Sequence, residues 1–244
     1  TLRNSSAASD VYKRQHKPVE MFKVVANFEY SGVKFKAELS SNLVSQNEAI
    51  TFLNSLKDKG FKVLRVTKKP GKRTPSAPFI TSTLQQEASR VLGFSVSRTM
   101  SVAQRLYESG HITYMRTDSV SLSKDAMSSA QQQITRSFGS HYCNPRKYQN
   151  KNKSAQEAHE AIRPTNFGLS SLDNDSPEDK LYKLIWRKTI ASQMSDAEIE
   201  KTTIEIGFEG ISQNFLSTGE LIKFDGFLKV YNSSSGKEGQ SILP

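Results

Sequence analysis

The stretch from Tyr107 to Ser119, YESGHITYMRTDS, places a phenol and a guanidinium two positions apart on a short run that reads as a strand. In extended backbone, residues i and i+2 point to the same side. Tyr114 and Arg116 therefore face one target while Thr113 and Met115 turn the other way. A phosphate fits that pair. A phenol with a pKa of about 10 is a poor nucleophile at neutral pH, so a tyrosine that attacks phosphorus needs a cation to stabilise the phenolate and the charge of the transition state. Arg116 supplies one, because its planar guanidinium donates two parallel hydrogen bonds and does not lose its charge. Asp118 stands one further step of two along, placed to hold that guanidinium or to cap the next element of the chain. By itself the pattern is weak, since tyrosine is common in strands and such a pair is more often structural than catalytic.

A second set of chemistry-bearing residues lies in SAQEAHEAIRPT, 154–165. Ser154 and Glu157 form a capping box and Pro164 enforces a stop, which predicts a short helix with His159 and Arg163 on one face. A lone helical histidine is more often structural than functional. His141 reads as a surface residue. The carboxylates Asp173, Asp175 and Glu178 invite a metal-site reading, but they fall in a polar loop and in Ser176-Pro177-Glu178-Asp179, an ordinary helix start favoured by the dipole. No metal site is expected in this chain. The single cysteine, Cys143, excludes an internal disulfide and a cysteine-cluster zinc site, and points to a reducing compartment.

The whole chain of 244 residues carries 34 Lys+Arg against 24 Asp+Glu, a net charge of +10, which suits a polyanionic partner and would equally suit a membrane surface or a ribosome. No run approaches the roughly 18 apolar residues of a membrane span, and the N-terminus lacks the apolar core of a signal peptide.

Residues 1–19 show no periodicity and read as a disordered or non-native tail. From Met21 the pattern alternates, with Phe22, Val24, Ala26 and Phe28 on one parity, a Ser31-Gly32 turn, then Val33, Phe35 and Ala37. This predicts a β-hairpin. A helix over 46–59 comes next, opened by Ser45 and Glu48, lined by Ile50, Leu53 and Leu56, and closed by Gly60, with a strand after it at Phe61–Val66. The basic, Pro/Gly-rich KKPGKRTPSAP, 68–78, reads as a hinge, its charges either solvated or in contact with a polyanionic partner. Beyond it, Ser82 and Gln85 open a helix with Leu84, Ala88, Val91 and Leu92 as its stripe, ended by Gly93. A second helix over 97–109 turns Met100, Ala103, Leu106 and Tyr107 inward, and the strand after it makes a winged type of helix-turn-helix. Arg98 and Arg105 lie on its exposed side, as phosphate contacts or as plain solvated charges.

Ser123 caps a further helix carrying Met127, Ala130, Ile134 and Phe138. The polar, basic 139–153 with Tyr142 and Tyr148 could stack bases, although such segments are more often surface loops. A helix over 177–194 buries Leu181, Leu184, Ile185, Trp186 and Met194, and alternation resumes from Lys201, with strands near 213–217, 219–224 and 227–231 and an Asp225-Gly226 turn between the last two. The expected fold class is α+β: a mostly β domain from 20–67 plus 200–231, with a helical, winged-helix-like domain, 76–196, inserted into it. Residues 232–244 begin a further domain.

Three stretches carry a family resemblance. ITYMRTDS, the preceding SAPFITSTLQQEASRVLGFSVSRTMSVAQRLYESG (76–110) and the later SAQEAHEAIRPT resemble the central part of the type IA DNA topoisomerases, in their bacterial topoisomerase I branch. The likeness extends over roughly 20–244, and Met115 favours that branch over the topoisomerase III branch, which usually has proline there. The resemblance implies that Tyr114 cleaves one DNA strand transiently through a 5′-phosphotyrosyl link and releases a 3′-hydroxyl. Resealing by that hydroxyl relaxes negative supercoils without ATP. Arg116 would clamp the phosphate, His159 would contact DNA phosphate, and Asp118 and Arg163 would support them, with Arg98 and Arg105 as further DNA-binding candidates. It implies that the two domains form the far side of a toroid and that the helical one swings away to admit DNA.

Single-stranded and negatively supercoiled DNA are the expected partners of a cytoplasmic, nucleoid-associated, monomeric isomerase. The family's acidic, Mg²⁺-binding domain normally precedes this region, and no Asp-x-Asp-x-Glu after an apolar strand occurs here. Mg²⁺ and the other domains of the same polypeptide are therefore expected to be needed, leaving this chain alone inactive. The rival expectation is a non-catalytic winged-helix DNA-binding module on a β scaffold.

Overall fold

The computed structural model describes residues 21–149, 159–172 and 175–232. They form a mixed α/β structure that divides into two compact units, 21–69 with 201–221, and 70–200 with 222–232.

The first unit starts with the hairpin of β1 (Val25–Tyr30) and β2 (Val33–Leu39), paired antiparallel with Phe28 opposite Phe35. Ser31 and Gly32 both take positive φ, 49° and 80°, as a two-residue hairpin turn requires. The expected alternation is present except at Val33, which is exposed beside the turn; Val24, Phe28, Phe35, Ala37 and Leu39 are buried. Helix α1 (Gln46–Ser55) is shorter than expected: Leu56 caps it and Gly60 lies beyond. Ser45 caps its start as expected, and the Glu48 carboxylate accepts the Val44 N–H at 2.9 Å. Its buried face is Ala49 and Phe52, whereas Ile50 and Leu53 stay exposed, because the sheet core of Phe28, Phe35 and Phe215 lies on the Phe52 side.

Strands β3 (Phe61–Arg73), β4 (Ala197–Phe208) and β5 (Phe215–Phe224) complete a five-stranded sheet in the order β1-β2-β5-β4-β3. The expected hinge is therefore strand for much of its length: β3 runs through Pro70 and Gly71 to Arg73. Its place at the sheet edge explains this, since an edge strand tolerates a residue without an N–H to donate. The two short strands expected at 213–217 and 219–224 are one strand, with Gly219 buried inside it.

The second unit holds α2 (Thr81–Leu92), α3 (Val96–Glu108), α4 (Lys124–Phe138), a 3₁₀ turn (Ser140–Tyr142), α5 (Pro177–Ser192) and α6 (Leu228–Asn232). Gly93 in the left-handed region, φ 66°, ends α2 and allows the quick reversal into α3. Helix α2 begins before the expected Ser82 box: Ile80 is its N-cap residue, and the Ile80 N–H is satisfied by the Thr83 hydroxyl at 3.1 Å. Ser123 and Ser176 cap α4 and α5 as expected, with Pro177 in the first turn of α5. Helix α5 is the axis of this unit, burying Leu181, Tyr182, Leu184, Ile185 and Trp186 and meeting α2, α3, α4 and α6.

The strand expected at 227–231 is helix α6 instead. Gly226 has φ 48°, a Cβ there would stand 2.3 Å from the Asp196 carbonyl oxygen, and the Phe227 N–H bonds the Ser195 carbonyl at 3.0 Å. That tight passage turns the chain into a helix rather than a hairpin.

Candidate functional site

The segment after α3 forms no regular strand, only a single bridge between Ile112 and Pro164, yet its side chains alternate as the sequence implies. Tyr114, Arg116 and Asp118 are exposed, while Met115, Thr117 and Ser119 are buried. Met115 and Ile112 sink into the core of the helical unit and fix which way the segment faces.

Two threonines hold the segment from opposite ends. Thr113 donates its hydroxyl to the Ala161 carbonyl at 2.7 Å and accepts the Arg163 N–H at 3.0 Å, while its own N–H bonds the Arg163 carbonyl at 2.9 Å. Thr81, first in α2, lies against Met115 and Thr117: its N–H bonds the Thr117 carbonyl at 3.0 Å and its hydroxyl accepts the Thr117 N–H at 2.9 Å. Sequence reasoning assigned neither threonine a role. A small hydroxyl residue has no periodic or charge signature, and its partner is 34 or 36 residues away for Thr81.

The second expected helix gives way to extended chain over its described part. Residues 159–165 bridge Phe79 through Ile162 and Ile112 through Pro164, and the Ile162 N–H goes to the Phe79 carbonyl at 2.9 Å. Proline also disfavours helical backbone in the residue before it, Arg163. The capping residues Ser154 and Glu157 lie outside the described residues. His159 and Arg163 therefore do not share a helical face, and their environments differ. His159 is exposed and lines an open cleft of about 410 Å³ with Ile80, Thr81, Ser82, Arg116, Thr117 and Asp118. Arg163 is turned inward, its side chain 15% exposed, bonded to the Glu160 carboxylate at 2.6 and 3.1 Å and to the Pro164 carbonyl at 3.0 Å. Glu160 also accepts the Ser123 N–H at 2.6 Å, tying this strap to the start of α4. Burial works to raise the Glu160 pKa, but the hydrogen bonds from Ser123 and Arg163 and the Arg163 charge outweigh it and leave the carboxyl below its ordinary value.

Arg116 makes no side-chain hydrogen bond or ion pair with any described residue, so Asp118 does not hold it. Nor does Asp118 cap α4, which Ser123 does. Tyr114 meets Tyr107 edge to face, with ring centroids 5.3 Å apart, and Tyr107 is exposed rather than turned inward. On α3, Arg98 lies over the Phe94 ring at 4.4 Å, while Arg105 is paired with Glu178 at 2.5 Å across to the start of α5. Glu178 is thus part of a helix-to-helix ion pair. Among the described residues no three His, Cys, Asp or Glu side chains gather so as to hold a metal ion. No helix among them is long and apolar enough to cross a membrane.

Arg116, which bonds no described residue, and the His159 imidazole line one open cleft suited to an anion, and the exposed Tyr114 phenol stands two residues before Arg116 on the same segment, outside that lining. The DNA topoisomerase family model matches residues 9–244. DNA topoisomerase 1 of Zymomonas mobilis is 42% identical over 93% of this chain and 20% of its own length. DNA topoisomerase 1 of Mycolicibacterium smegmatis is 50% identical over 70% of this chain and 19% of its own length. The solved structure of full-length topoisomerase I from Thermotoga maritima superposes with a TM-score of 0.75 at 32% identity, over 96% of this chain and 39% of that one. The chain thus spans well under half the length of the relatives it matches, and it belongs to the DNA topoisomerase family, in the bacterial type IA branch whose members are named DNA topoisomerase 1.

Proposed function

We propose that this chain carries the strand-cleaving site of a type IA topoisomerase. Tyr114 attacks a phosphodiester of one DNA strand; its oxygen bonds to phosphorus, the bond to the 3′ oxygen breaks, and that oxygen leaves as a hydroxyl. The 5′-phosphotyrosyl ester keeps the bond energy. Attack by the 3′-hydroxyl reverses the step after a strand has passed, which relaxes negative supercoils without ATP. The single observation that carries this reading is Arg116, bonded to no described residue and exposed, like Tyr114 two positions before it, on a segment whose Met115 and Thr117 are buried. A guanidinium held there gains two charge-assisted hydrogen bonds when phosphate arrives and gives up no partner among the described residues.

His159 is the second phosphate contact, being exposed in the same cleft as Arg116. Arg163 acts by holding the 159–165 strap. No three His, Cys, Asp or Glu side chains gather among the described residues, and we assign Mg²⁺ to parts of the relatives that this chain does not span. The α2–α3 pair, joined around Gly93, supports a winged-helix-like reading of the inserted domain. Single-stranded DNA, with negatively supercoiled DNA as the working substrate, is the partner, engaged by a monomer in the bacterial cytoplasm. The helical unit is the domain that moves to admit a strand.

The test replaces the matching region of the Zymomonas mobilis enzyme with this chain. Labelled single-stranded DNA should become covalently attached at Tyr114, and Tyr114→Phe should abolish the adduct while leaving binding nearly intact. Attachment at any other tyrosine would overturn the assignment.

A further inference from the structure

We propose that Thr81 is a positioning residue for Arg116, its hydroxyl fixing where the guanidinium meets the DNA phosphate; this rests on the reading of Arg116 as the phosphate clamp. The direction of a side chain is set first by φ and ψ of its own residue, and those two angles are rotations relative to the two peptide planes that flank it. Thr81 grips both planes at Arg116. Its hydroxyl oxygen stands 2.8 Å from the Met115 carbonyl oxygen, which belongs to the peptide preceding Arg116. That hydroxyl oxygen also accepts the Thr117 N–H at 2.9 Å, which belongs to the peptide on the other side of Arg116.

The proton inventory closes. A threonine hydroxyl has one hydrogen to donate and lone pairs to accept with, so donation to Met115 and acceptance from Thr117 are compatible. The Thr117 carbonyl, 3.1 Å from the hydroxyl, is satisfied by the Thr81 N–H at 3.0 Å. Thr81 is itself well anchored, as a β-branched residue with restricted χ1 at the start of a 12-residue helix whose Leu84 and Ala88 are buried. Since the Arg116 side chain bonds no described residue, the backbone is what aims it. A phosphate clamp loose by about 1 Å loses roughly 100-fold in rate.

The experiment uses the chimera with the Zymomonas mobilis enzyme and single-turnover formation of the DNA adduct. Thr81→Val, which keeps the branch and removes the hydroxyl, should slow cleavage by about 10- to 100-fold, with oligonucleotide affinity changed less than about threefold. Thr81→Ser restores the hydroxyl and should recover most of the rate. On an Arg116→Ala background, Thr81→Val should add less than about a twofold loss, because residues that act through one another are not additive. A merely structural role would instead give an independent, multiplicative loss there, and that result overturns the proposal. Thr81→Ala, with room for a water between the two peptides, serves if Thr81→Val does not fold; a wild-type rate from either folded variant also overturns it. Adduct formation by Tyr114→Phe would take down the site reading and this inference together, whereas an inactive Tyr114→Phe beside a fully active Thr81→Val removes only the inference.

Discussion

Arg116 and Arg163 make an instructive pair, because both stand in short motifs full of small polar residues and the structure treats them in opposite ways. Arg163 is mostly buried and spends its donors on Glu160 and the Pro164 carbonyl. Arg116 is exposed and spends none on the described protein. A charge that holds a fold together must be satisfied before any ligand arrives, since leaving it unpaired and buried is costly. A charge that works on a ligand must keep its donors open. On the proposed reading, work in this unit is divided between a paired, inward set that shapes the 159–165 strap and an exposed set of Tyr114, Arg116 and His159.

The contrast breaks most visibly at the open set. In the chimera, Arg116→Ala should slow adduct formation by roughly 100- to 1,000-fold, as for the loss of a donor aimed at transition-state charge. Its unfolding free energy in urea should stay within about 0.5 kcal/mol of wild type. Arg116→Lys should recover little, because an ammonium cannot reproduce bidentate geometry. A destabilised but fast Arg116→Ala protein would erase the distinction between the two arginines.

Arg163→Ala should do the reverse, costing about 1–3 kcal/mol through the carboxylate left half-buried beside Ser123. Denaturant unfolding of the chain measures it directly. Any loss of cleavage should then track the disordered strap and be relieved by Glu160→Gln in the same protein, which Arg116→Ala would not be.

A smaller effect comes from acidity. The folded Glu160 carboxyl lies below its ordinary value, so its unfolded-state pKa is the higher one. Its stabilisation is present above the unfolded value and is lost as pH falls through the folded one. Unfolding free energy should therefore drop as pH falls through and below the ordinary carboxylate range, and Glu160→Gln should flatten part of that slope. An unchanged slope would place the acid sensitivity elsewhere.

Much of this division was legible in the sequence, and the part that was not has a physical reason. Alternation along 113–119 showed which side chains face together, because period-2 geometry needs no partner to be recognised. The caps at Ser45, Ser123 and Ser176 were equally local. What failed was what depended on distant neighbours. The described part of the helix expected around His159 is extended because the N–H groups of Ile162 and Arg163 find Phe79 and Thr113, far away in sequence. Pro70 and Gly71 sit in a strand because that strand is an edge, a property of sheet order rather than of residues 68–78. Residues 227–231 turn into a helix because Gly226 passes against Asp196. Ile50 and Leu53 have helical spacing, but the core chose Phe52.

Arg98 and Arg105 carry the comparison of paired with open charge to its weakest case, where the sequence left phosphate contact and solvated charge equally open. Both lie on α3, seven residues apart, on a helix whose buried face is Thr99, Val102, Ala103 and Leu106. Arg105 is paired with Glu178, and that bond is the first cause holding the Glu178 carboxyl below its ordinary value. Arg98 has an aromatic face for support, the Phe94 ring, and no carboxylate among the described residues, so its donors remain open. If open charge marks DNA contact here too, Arg98→Ala should weaken single-stranded DNA binding and reduce the slope of log affinity against log salt by about 0.7, the value for one phosphate contact on a single strand. Arg105→Ala should leave that slope alone and change stability by less than about 1 kcal/mol, as expected of a half-exposed pair. Titrating both variants across a salt series decides between them. A slope change in Arg105→Ala with none in Arg98→Ala would show that ion pairing within the protein does not predict which cations DNA uses.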